Sequence, residues 1–410
     1  MVTERRRLLL EVLHAGLREL EGGHQVRQYL ESQPLQDAAR TWHLLAVGKA
    51  ARTMSAGAVS HLGEALGSGL VIHPRGEESP LLPAAFECRG AEHPIPGAGS
   101  FQAGERVLEF LQELPRSDGL LVLLSGGGSA LMESPLSGVS RSWVEEAHRW
   151  LLASGLDIVQ MNRVRQTLSA VKGGKLVPFA PDGPVQVLAL SDVPESFPEA
   201  LASGPFLPPL AGPLPQGLPD WLAPAVMKAE QAPPGASRSI PHEILADSRE
   251  AGKVFVDILR HFGVVAELAP ERMTGAVPDM ASHIASHIPP PGQARIWWGE
   301  TQLAVPREGG RGGRCQHLAL EVARQLAGRP GWSLLAVGTD GRDGNSEDAG
   351  ALVDGGSLQR GRDAGMDPDQ ALSEYRSGDF LEAAGDLVQT GPTGTNLNEV
   401  VVALGTEEAL

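Results

Sequence analysis

The chain has 410 residues, of which 42% are hydrophobic and 20% charged, and its formal net charge is −16. This composition is typical of a globular protein with room for two domains, and the acidic balance argues against general nucleic-acid binding. No run of about 18 apolar residues occurs, so no membrane span is predicted. The two cysteines, Cys88 and Cys315, argue against a disulfide framework or a thiolate metal site and favour a reducing cytoplasm.

The first predicted elements are a helix and a buried strand. Residues 4–30 predict an amphipathic helix rather than a signal peptide, because Glu11 and His14 interrupt its apolar run. A buried strand then starts at Trp42, and Lys49 follows it at the start of a helix. Open α/β sheets place ligand groups at the carboxyl ends of strands, and a cation at a helix start opposes the helix dipole. Lys49 is therefore a candidate ligand-binding cation, with a solvated surface lysine as the alternative.

A glycine-rich segment at residues 120–135, LLVLLSGGGSALMESP, predicts a buried strand, a loop and a helix start. Its loop residues are Ser125, Gly126, Gly127, Gly128 and Ser129. Bare backbone N–H groups before a helix favour phosphate or carboxylate binding, and a tight turn is the alternative. Leu131 stands where G-x-G-x-x-G needs its third glycine, and the lysine of a Walker loop is missing.

A polar stripe follows in MNRVRQTLSAVKGGKL, residues 161–176. Its members are Asn162, Arg165, Ser169 and Lys172. Their spacing of three, four and three predicts one face of a helix that ends at Gly173 and Gly174. The stripe contains no carboxylate, so an anion-binding face competes with the ordinary alternative of a solvated face.

The next strand, in residues 185–196, carries Asp192 at its carboxyl end, where an aspartate suits a magnesium ion, a hydroxyl group or a turn cap. Residues 205–240 are rich in proline and predict a linker. We therefore predict an N-terminal domain over residues 1–240 and a C-terminal domain over 241–410.

The second half of the chain repeats the pattern of strands followed by polar loops. Residues 295–306 predict a hairpin or a bent strand, and the glycine loop 307–314 feeds a helix. Gly313 and Arg314 lie at that helix start and suit a carboxylate or phosphate, with a disordered basic loop as the alternative.

Two further polar clusters complete the candidates. Asp340 and Asp343 follow a strand and suit Mg²⁺ or a general base, although their spacing fails the calcium-loop pattern. The stretch TGPTGTN, residues 390–396, offers hydroxyl and amide groups to a substrate or nucleotide. Strands and helices alternate along the N-terminal half, which predicts a parallel sheet. The cations Lys49, Lys172 and Arg314, together with these carboxylates and glycine loops, indicate an enzyme that handles phosphate.

Eight motifs in this order resemble the class II, MOFRL-containing glycerate 2-kinases over nearly the whole chain. They are VGKAA, LLSGGGSAL, NRVRQTLSAVKGGKL, LSDVP with ASGP, GET, GGRCQHLAL, GTDGRDGNSEDAGA and TGPTGTN. The resemblance implies transfer of phosphate from ATP, with Mg²⁺, to the 2-hydroxyl of D-glycerate, giving 2-phosphoglycerate and ADP. It also implies a Rossmann-like N-terminal domain, a smaller C-terminal α/β domain and an active site in the cleft between them.

The same resemblance implies residue roles. The catalytic residues it implies are Lys49, Arg314, Asp192 and Asp340, and the metal ligands are Asp192 and Asp343. The substrate- or phosphate-binding residues are Ser125, Gly126, Gly127, Gly128, Ser129, Asn162, Arg165, Lys172, Gly313, Thr339, Thr393, Thr395 and Asn396. Small molecules are the expected partners, with no nucleic acid and no membrane, and the sequence is compatible with a homo-oligomer.

The sequence departs from the family pattern in places, and two other functions compete with the kinase. Cys315 and His317 replace the Asn and Glu that are usual in GGRNQE, and Glu347 stands where Asp is usual. Some members of the family are labelled hydroxypyruvate reductases, but neither glycine loop provides the dinucleotide fingerprint. A non-catalytic sensor of a phosphorylated metabolite is the other alternative.

Overall fold

The chain folds into two compact units in a computed structural model, which describes residues 2–37, 40–76, 82–194, 197–230, 238–306 and 309–405. The N-terminal unit contains Glu21–Asp247 and Gly394–Asn396. The C-terminal unit contains Met1–Leu20, Ser248–Thr393 and Leu397–Leu410. The first helix, α1 (Val2–Glu19), therefore belongs with the second half of the chain.

The N-terminal unit is built on one six-stranded parallel sheet. Its strands are β1 (Trp42–Val47), β2 (Leu66–Pro74), β3 (Phe86–Ala91), β4 (Gly119–Leu124), β5 (Val185–Ser191) and β6 (His242–Asp247), in the order β3-β2-β1-β4-β5-β6. The central strands β1 and β4 are buried along their whole length, as expected for apolar runs covered on both faces. The strand order reverses between β1 and β4, which is where open α/β sheets bind ligands at their carboxyl edge.

Helices connect the strands of this unit. They are α2 (Gly22–Ser32), α3 (Ala51–Leu62), α4 (Ala98–Glu113), α5 (Gly128–Leu131), α6 (Arg141–Ala153), α7 (Ile158–Leu168) and α8 (Ala223–Glu230). Short 3₁₀ turns cover Gly63–Ala65, Val177–Phe179 and Pro198–Ser203. Apolar side chains of α4 pack with those of the strands in one core, because the amphipathic helix buries its apolar face.

The predicted helix over the polar stripe is too long. α7 ends at Leu168, and Ser169 adopts an extended backbone with φ −105° and ψ 145°. Ser169 instead forms an antiparallel bridge with Pro135, so the segment pairs with a loop rather than continuing the helix. Gly173 and Gly174 have φ values of 60° and 76° and lie in a turn beyond the helix, so they do not cap it.

The C-terminal unit is built on a mixed six-stranded sheet. Its strands are β7 (Val265–Leu268), β8 (Gln293–Gly299), β9 (Trp332–Gly338), β10 (Gly350–Asp354), β11 (Leu387–Val388) and β12 (Glu399–Gly405), in the order β11-β10-β9-β12-β8-β7. Only the β7–β8 pair is parallel among these strands. Of the two alternatives predicted for residues 295–306, a hairpin or a bent strand, the hairpin is wrong, because β8 is a single strand that ends at Gly299.

The helices of the C-terminal unit cover its sheet. Besides α1 they are α9 (Ser248–His261), α10 (Val277–Ser286), α11 (Arg314–Gln325), α12 (Ser357–Asp363), α13 (Pro368–Ser373) and α14 (Ser377–Ala384). α1 packs closely on α9, since a Cβ at Gly16 would lie 2.8 Å from the ring of Phe255. Arg6 of α1 also pairs with the buried Asp354 and Asp386, at 2.9 and 3.0 Å. These contacts explain why α1 groups with this unit.

The two compact units do not divide at the boundary predicted between residues 240 and 241. β6 lies beyond the predicted boundary but pairs in parallel with β5 in the N-terminal sheet. Much of the proline-rich segment 205–240 is also part of the N-terminal unit, where Phe206, Leu210 and Leu222 are buried. Residues 231–237 of the predicted linker lie outside the described residues. Proline content alone therefore does not locate the boundary, because buried apolar residues hold the segment on the core.

The fold class is confirmed at the level of two α/β units, one with a parallel sheet and one with a mixed sheet. Within the described ranges, no helix has the length and apolar character needed to cross a bilayer.

Candidate active site

Three neighbouring strands of the N-terminal sheet end in the predicted ligand-binding segments. Lys49 follows β1, the glycine loop follows β4, and Asp192 follows β5. Because β1, β4 and β5 are adjacent parallel strands, their carboxyl ends lie at one edge of the sheet. This edge includes the point at which the strand order reverses.

Backbone contacts bind the first two segments tightly together. Lys49 N donates to Gly126 O at 2.9 Å, and Ala50 N donates to Ser125 Oγ at 3.0 Å. Gly48 has φ 137°, and a Cβ there would lie only 2.1 Å from Ser125 Oγ. A side chain at this position would therefore separate the lysine from the glycine loop.

The glycines of the loop allow polar side chains to approach its backbone. A Cβ at Gly126 would lie 2.0 Å from Asp192 Oδ2 and 2.1 Å from Asn396 Nδ2. Gly127 has φ 84°, and a Cβ there would lie 3.2 Å from Lys49 Cγ. The three predicted segments thus meet around two consecutive glycines that have no side chain to block a ligand.

The helix that follows the loop is too short to act as a strong dipole. α5 contains four residues, Gly128–Leu131, and ends at Met132, whose N–H donates to Gly128 O. The macrodipole of a helix grows from aligned peptide units, so one turn contributes little. Positive charge at this loop therefore comes mainly from backbone N–H groups and from Lys49, which corrects the expected contribution of the helix.

Asp192 fits a role in binding Mg²⁺ next to phosphate, whereas Asp343 does not. Asp192 Oδ2 accepts a hydrogen bond of 3.3 Å from Asn396 Nδ2, and one carboxylate beside substrate phosphates suits the usual Mg²⁺ shell. Both oxygens of Asp343 accept backbone N–H groups, from Cys315 at 3.1 Å and Gln316 at 2.8 Å. In the part of the chain that the structure describes, no three His, Cys, Asp or Glu side chains are arranged to hold a metal ion.

Part of the predicted polar stripe forms a buried chain of hydrogen bonds. Asn162 and Arg165 of α7 are 1% and 8% exposed, and Arg165 Nη1 donates to Asn162 Oδ1 at 3.4 Å. Ser203 Oγ donates to the same oxygen at 2.7 Å and lies 2.7 Å from Ser129 Oγ. Ala202 and Ser203 adopt positive φ values of 48° and 59°, a strained conformation that often occurs at functional sites. These hydrogen bonds link α7 to the glycine loop.

Lys172 has different surroundings from those predicted. Its side chain is fully buried, and its ammonium group donates to Glu133 Oε2 and, at 3.2 Å, to Met132 O. Burial lowers the pKa of Lys172, and the Glu133 carboxylate opposes this effect. An ammonium group that is enclosed and paired in this way holds the segment after the glycine loop and has no open side for a ligand.

Arg314 is held by two carboxylates in the C-terminal unit. Its Nε donates to Glu399 Oε1 at 2.7 Å, and its Nη2 lies 2.7 Å from Glu300 Oε1. Glu399 Oε2 also accepts hydrogen bonds of 3.1 Å from the N–H and the hydroxyl of Thr301. Burial raises the pKa of Glu399 to about 7, while the charge of Arg314 lowers it. The guanidinium group is thus positioned, and its charge is partly compensated, before any ligand binds.

Asp343 serves as a cap for the helix that carries Arg314. Its carboxylate accepts the N–H groups of the second and third residues of α11, Cys315 and Gln316, and burial raises its pKa to about 6 although these donors lower it. Gly313 is needed beside it, since a Cβ there would lie 2.2 Å from Asp343 Oδ1. An N-terminal cap of this kind satisfies backbone donors that would otherwise be left without partners.

Three further predicted residues, Thr339, Thr393 and Asp340, hold the loops around β9 and β12. Thr339 donates its hydroxyl to Asn398 O at 2.8 Å and accepts the N–H of Leu397 at 2.8 Å. Thr393 Oγ1 donates to Thr339 O at 2.5 Å. Asp340 Oδ1 accepts the N–H of Arg342 at 3.1 Å in the turn after β9.

Two of the residues that depart from the family pattern, Cys315 and His317, are buried. Cys315 is 1% exposed, and burial raises the pKa of its thiol well above the ordinary value. His317 is 7% exposed and stacks on Tyr375 with ring centroids 5.6 Å apart. Both side chains pack inside the unit, so their first effect is on packing around α11.

Comparison with known proteins identifies the family. Residues 8–212 match the family described as Domain of unknown function (DUF4147), and residues 293–399 match the MOFRL family. D-glycerate 2-kinase of Thermotoga maritima is 34% identical over 88% of this chain and 90% of its own length. The chain belongs to the MOFRL-containing glycerate kinase family.

Two solved structures share the family fold. The crystal structure of glycerate kinase from Thermotoga maritima has a TM-score of 0.83 and 30% sequence identity, with 98% of this chain and all of that chain covered. A protein from Pyrococcus horikoshii has a TM-score of 0.75 and 26% sequence identity, with 98% of this chain and 99% of that chain covered.

A relative by sequence carries a different name. A protein from Agrobacterium vitis, provisionally named a hydroxypyruvate reductase, is 31% identical over 87% of this chain and 97% of its own length.

Sequence reasoning missed four residues that lie beside the predicted site residues in the structure. Glu300 and Glu399 hold Arg314, Ser203 joins Ser129 to α7, and His93 lies near Gly127. Glu300 and Ser203 lie inside quoted motifs, GET and ASGP, so their positions could have suggested them. Glu399 starts a buried apolar strand, and a carboxylate at such a place signals a buried partner.

The raised pKa of Glu399 predicts a dependence of stability on pH. Between its ordinary value of 4.5 and about 7, the folded protein binds a proton at Glu399 that the unfolded chain has lost. The contribution of this group to the free energy of unfolding therefore falls as pH rises from about 5 to 7, by up to about 3 kcal/mol. Glu399→Gln should remove this part of the dependence in urea unfolding at pH 5, 6, 7 and 8. Equal pH slopes for the variant and the wild type would contradict the assignment.

Proposed function

We propose that the protein transfers the terminal phosphate of ATP to the 2-hydroxyl of D-glycerate, giving 2-phosphoglycerate and ADP. The meeting of Lys49, the glycine loop and Asp192 at one edge of the N-terminal sheet carries this proposal. A cation, bare N–H groups and a carboxylate are the groups that phosphoryl transfer needs. The similarity to the D-glycerate 2-kinase of Thermotoga maritima supports the choice of substrate.

In the proposed reaction, the glycine loop and Lys49 stabilise phosphate charge. The hydroxyl oxygen of glycerate attacks the terminal phosphorus, the bond to the bridging oxygen breaks, and ADP leaves. Negative charge on the transferred group and on the leaving oxygen is stabilised by the ammonium group of Lys49 and by loop N–H groups. The hydroxyl proton passes to a carboxylate of the protein.

We assign Mg²⁺ to Asp192 in this proposal and withdraw Asp343 from it. A bound Mg²⁺ would neutralise phosphate oxygens and orient them for the transfer. Asp192 lies beside the glycine loop, whereas the carboxylate of Asp343 is used by the N-terminus of α11. Asp343 acts by positioning α11 and therefore Arg314.

Arg314 binds a carboxylate or a phosphate in the proposed reaction. Glu399 and Glu300 fix its guanidinium group through Nε and Nη2, and 43% of its side chain is exposed. A guanidinium fixed in this way loses little rotational freedom when it binds an anion.

We also propose that the protein is located in the cytoplasm, since Cys88 and Cys315 are both free thiols.

A coupled assay tests the proposal. The protein is incubated with ATP, Mg²⁺ and D-glycerate, and enolase reports the product, because enolase acts on 2-phosphoglycerate directly and on 3-phosphoglycerate only after a mutase. We expect a signal without mutase. A signal that requires mutase would mean phosphorylation of the 3-hydroxyl, and no ADP from folded protein would overturn the kinase assignment. NADH consumption with hydroxypyruvate in the absence of ATP would instead indicate a reductase.

A further inference from the structure

The hydrogen-bond chain behind the glycine loop has a fixed direction. Asn162 Nδ2 donates to the carbonyl oxygen of Ala200 at 3.1 Å, and a carbonyl can only accept. This contact sets the orientation of the Asn162 amide, so Oδ1 faces Arg165 and Ser203. Burial lowers the pKa of Arg165 to about 10, so its guanidinium stays charged at neutral pH and can only donate. Two independent neighbours therefore fix Asn162 Oδ1 as an acceptor.

This direction extends along the chain to the glycine loop. Ser203 must donate its single hydroxyl proton to Asn162 Oδ1, which lies 2.7 Å away. The contact of 2.7 Å between Ser203 Oγ and Ser129 Oγ then requires Ser129 to be the donor. Ser129 has used its only proton, so its oxygen can only accept a hydrogen bond from a ligand. Ser203 is fully buried and Ser129 is partly exposed, so the chain runs from the core to the loop.

An oxygen that can only accept is unsuited to a phosphate or a carboxylate, because two lone pairs would face each other. It suits a hydroxyl group of the ligand. We propose that Ser129 accepts a hydrogen bond from the non-reacting hydroxyl of the hydroxy acid that is phosphorylated, and so selects substrates that carry this hydroxyl. The proposal rests on the proposed kinase function. It also removes Ser129 from the predicted phosphate-binding set, in which the loop N–H groups and Lys49 stay.

The position of Ser129 favours the hydroxy acid over the ribose of the nucleotide. Ser129 follows the glycine loop directly, and the loop is where the transferred phosphate is proposed to bind. The hydroxyls of the acceptor lie next to that phosphate during transfer, whereas the ribose lies beyond two further phosphates. A site built to pair with a hydroxyl discriminates against an analogue that lacks it.

The test compares D-glycerate with D-lactate, which keeps the 2-hydroxyl and lacks the 3-hydroxyl. We expect Ser129→Ala to lower kcat/KM for D-glycerate by about 3- to 10-fold, the effect of one neutral hydrogen bond, and to leave D-lactate unchanged. Ser203→Ala should also lower kcat/KM for D-glycerate, because the hydroxyl proton of Ser129 is then no longer held by Ser203. Ser142→Ala is the matched control, since Ser142 forms a similar pair with Ser140, 3.0 Å apart, on the exposed surface.

Three results would overturn the inference. One is a loss of kcat/KM in Ser129→Ala by the same factor for D-glycerate and D-lactate, and another is an unchanged kcat/KM for D-glycerate. The third is a change only between ATP and 2′-deoxy-ATP, which would assign the hydroxyl to the ribose. If the wild type does not phosphorylate D-glycerate at all, the proposed function fails. The inference is then tested by binding: calorimetry gives the dissociation constants of D-glycerate and D-lactate for the wild type and for Ser129→Ala.

Discussion

Lys49→Met should lower kcat by at least about 100-fold, the effect of removing one preorganised group that stabilises charge in the transition state. Methionine keeps the apolar stem that lies against Gly127 and removes only the ammonium charge. The backbone bond from Lys49 N to Gly126 O does not depend on the side chain. The glycine loop should therefore keep its structure while the phosphoryl group loses its cation.

The measurement is steady-state kinetics with ATP and D-glycerate, together with a urea unfolding curve for each variant. Lys253→Met is the matched control, because Lys253 lies on the exposed surface of α9 beside Glu250. We expect the control to keep the activity of the wild type. Near-normal kcat in Lys49→Met would remove Lys49 from the catalytic residues, and a large loss of stability would mean that the variant reports on folding instead.

Lys172→Met should destabilise the N-terminal unit by about 3–5 kcal/mol, the usual effect of breaking a buried ion pair by removing one partner. Lys172 and Glu133 are 0% and 1% exposed, so the remaining carboxylate cannot be solvated. The variant also leaves the Met132 carbonyl without the Lys172 ammonium group. This expectation differs from that for a phosphate-binding lysine, which would change activity more than stability.

A double variant separates the charge of Glu133 from the packing of Lys172. Lys172→Met with Glu133→Leu removes both charges, and we expect it to recover part of the lost free energy of unfolding in urea. Recovery should be incomplete, because Glu133 also stabilises the charged form of Arg165. The exposed pair of Lys253 and Glu250 provides the comparison, and Lys253→Met there should change stability by less than about 0.5 kcal/mol. A similar small effect for Lys172→Met would contradict a structural role for the buried pair.

The sequence alone determined the features that depend on neighbouring residues. Apolar runs ending in glycine, as at β1 and β4, predicted both buried strands and the loops that follow them, because strand burial and glycine conformations are local properties. The alternation of these strands with helices predicted the parallel sheet, and a parallel sheet brings the carboxyl ends of adjacent strands together. The convergence of Lys49, the glycine loop and Asp192 follows from that topology.

Only the tertiary structure decided how the individual charges are used. Lys172 meets Glu133 39 residues away, Arg314 meets Glu399 85 residues away, and Asp343 caps a helix that starts 29 residues earlier, at Arg314. From the sequence, all three were predicted to bind a ligand or a metal ion. Burial makes an unpaired charge or backbone donor costly, so the fold satisfies these groups internally, and the partners come from distant segments that only packing brings together.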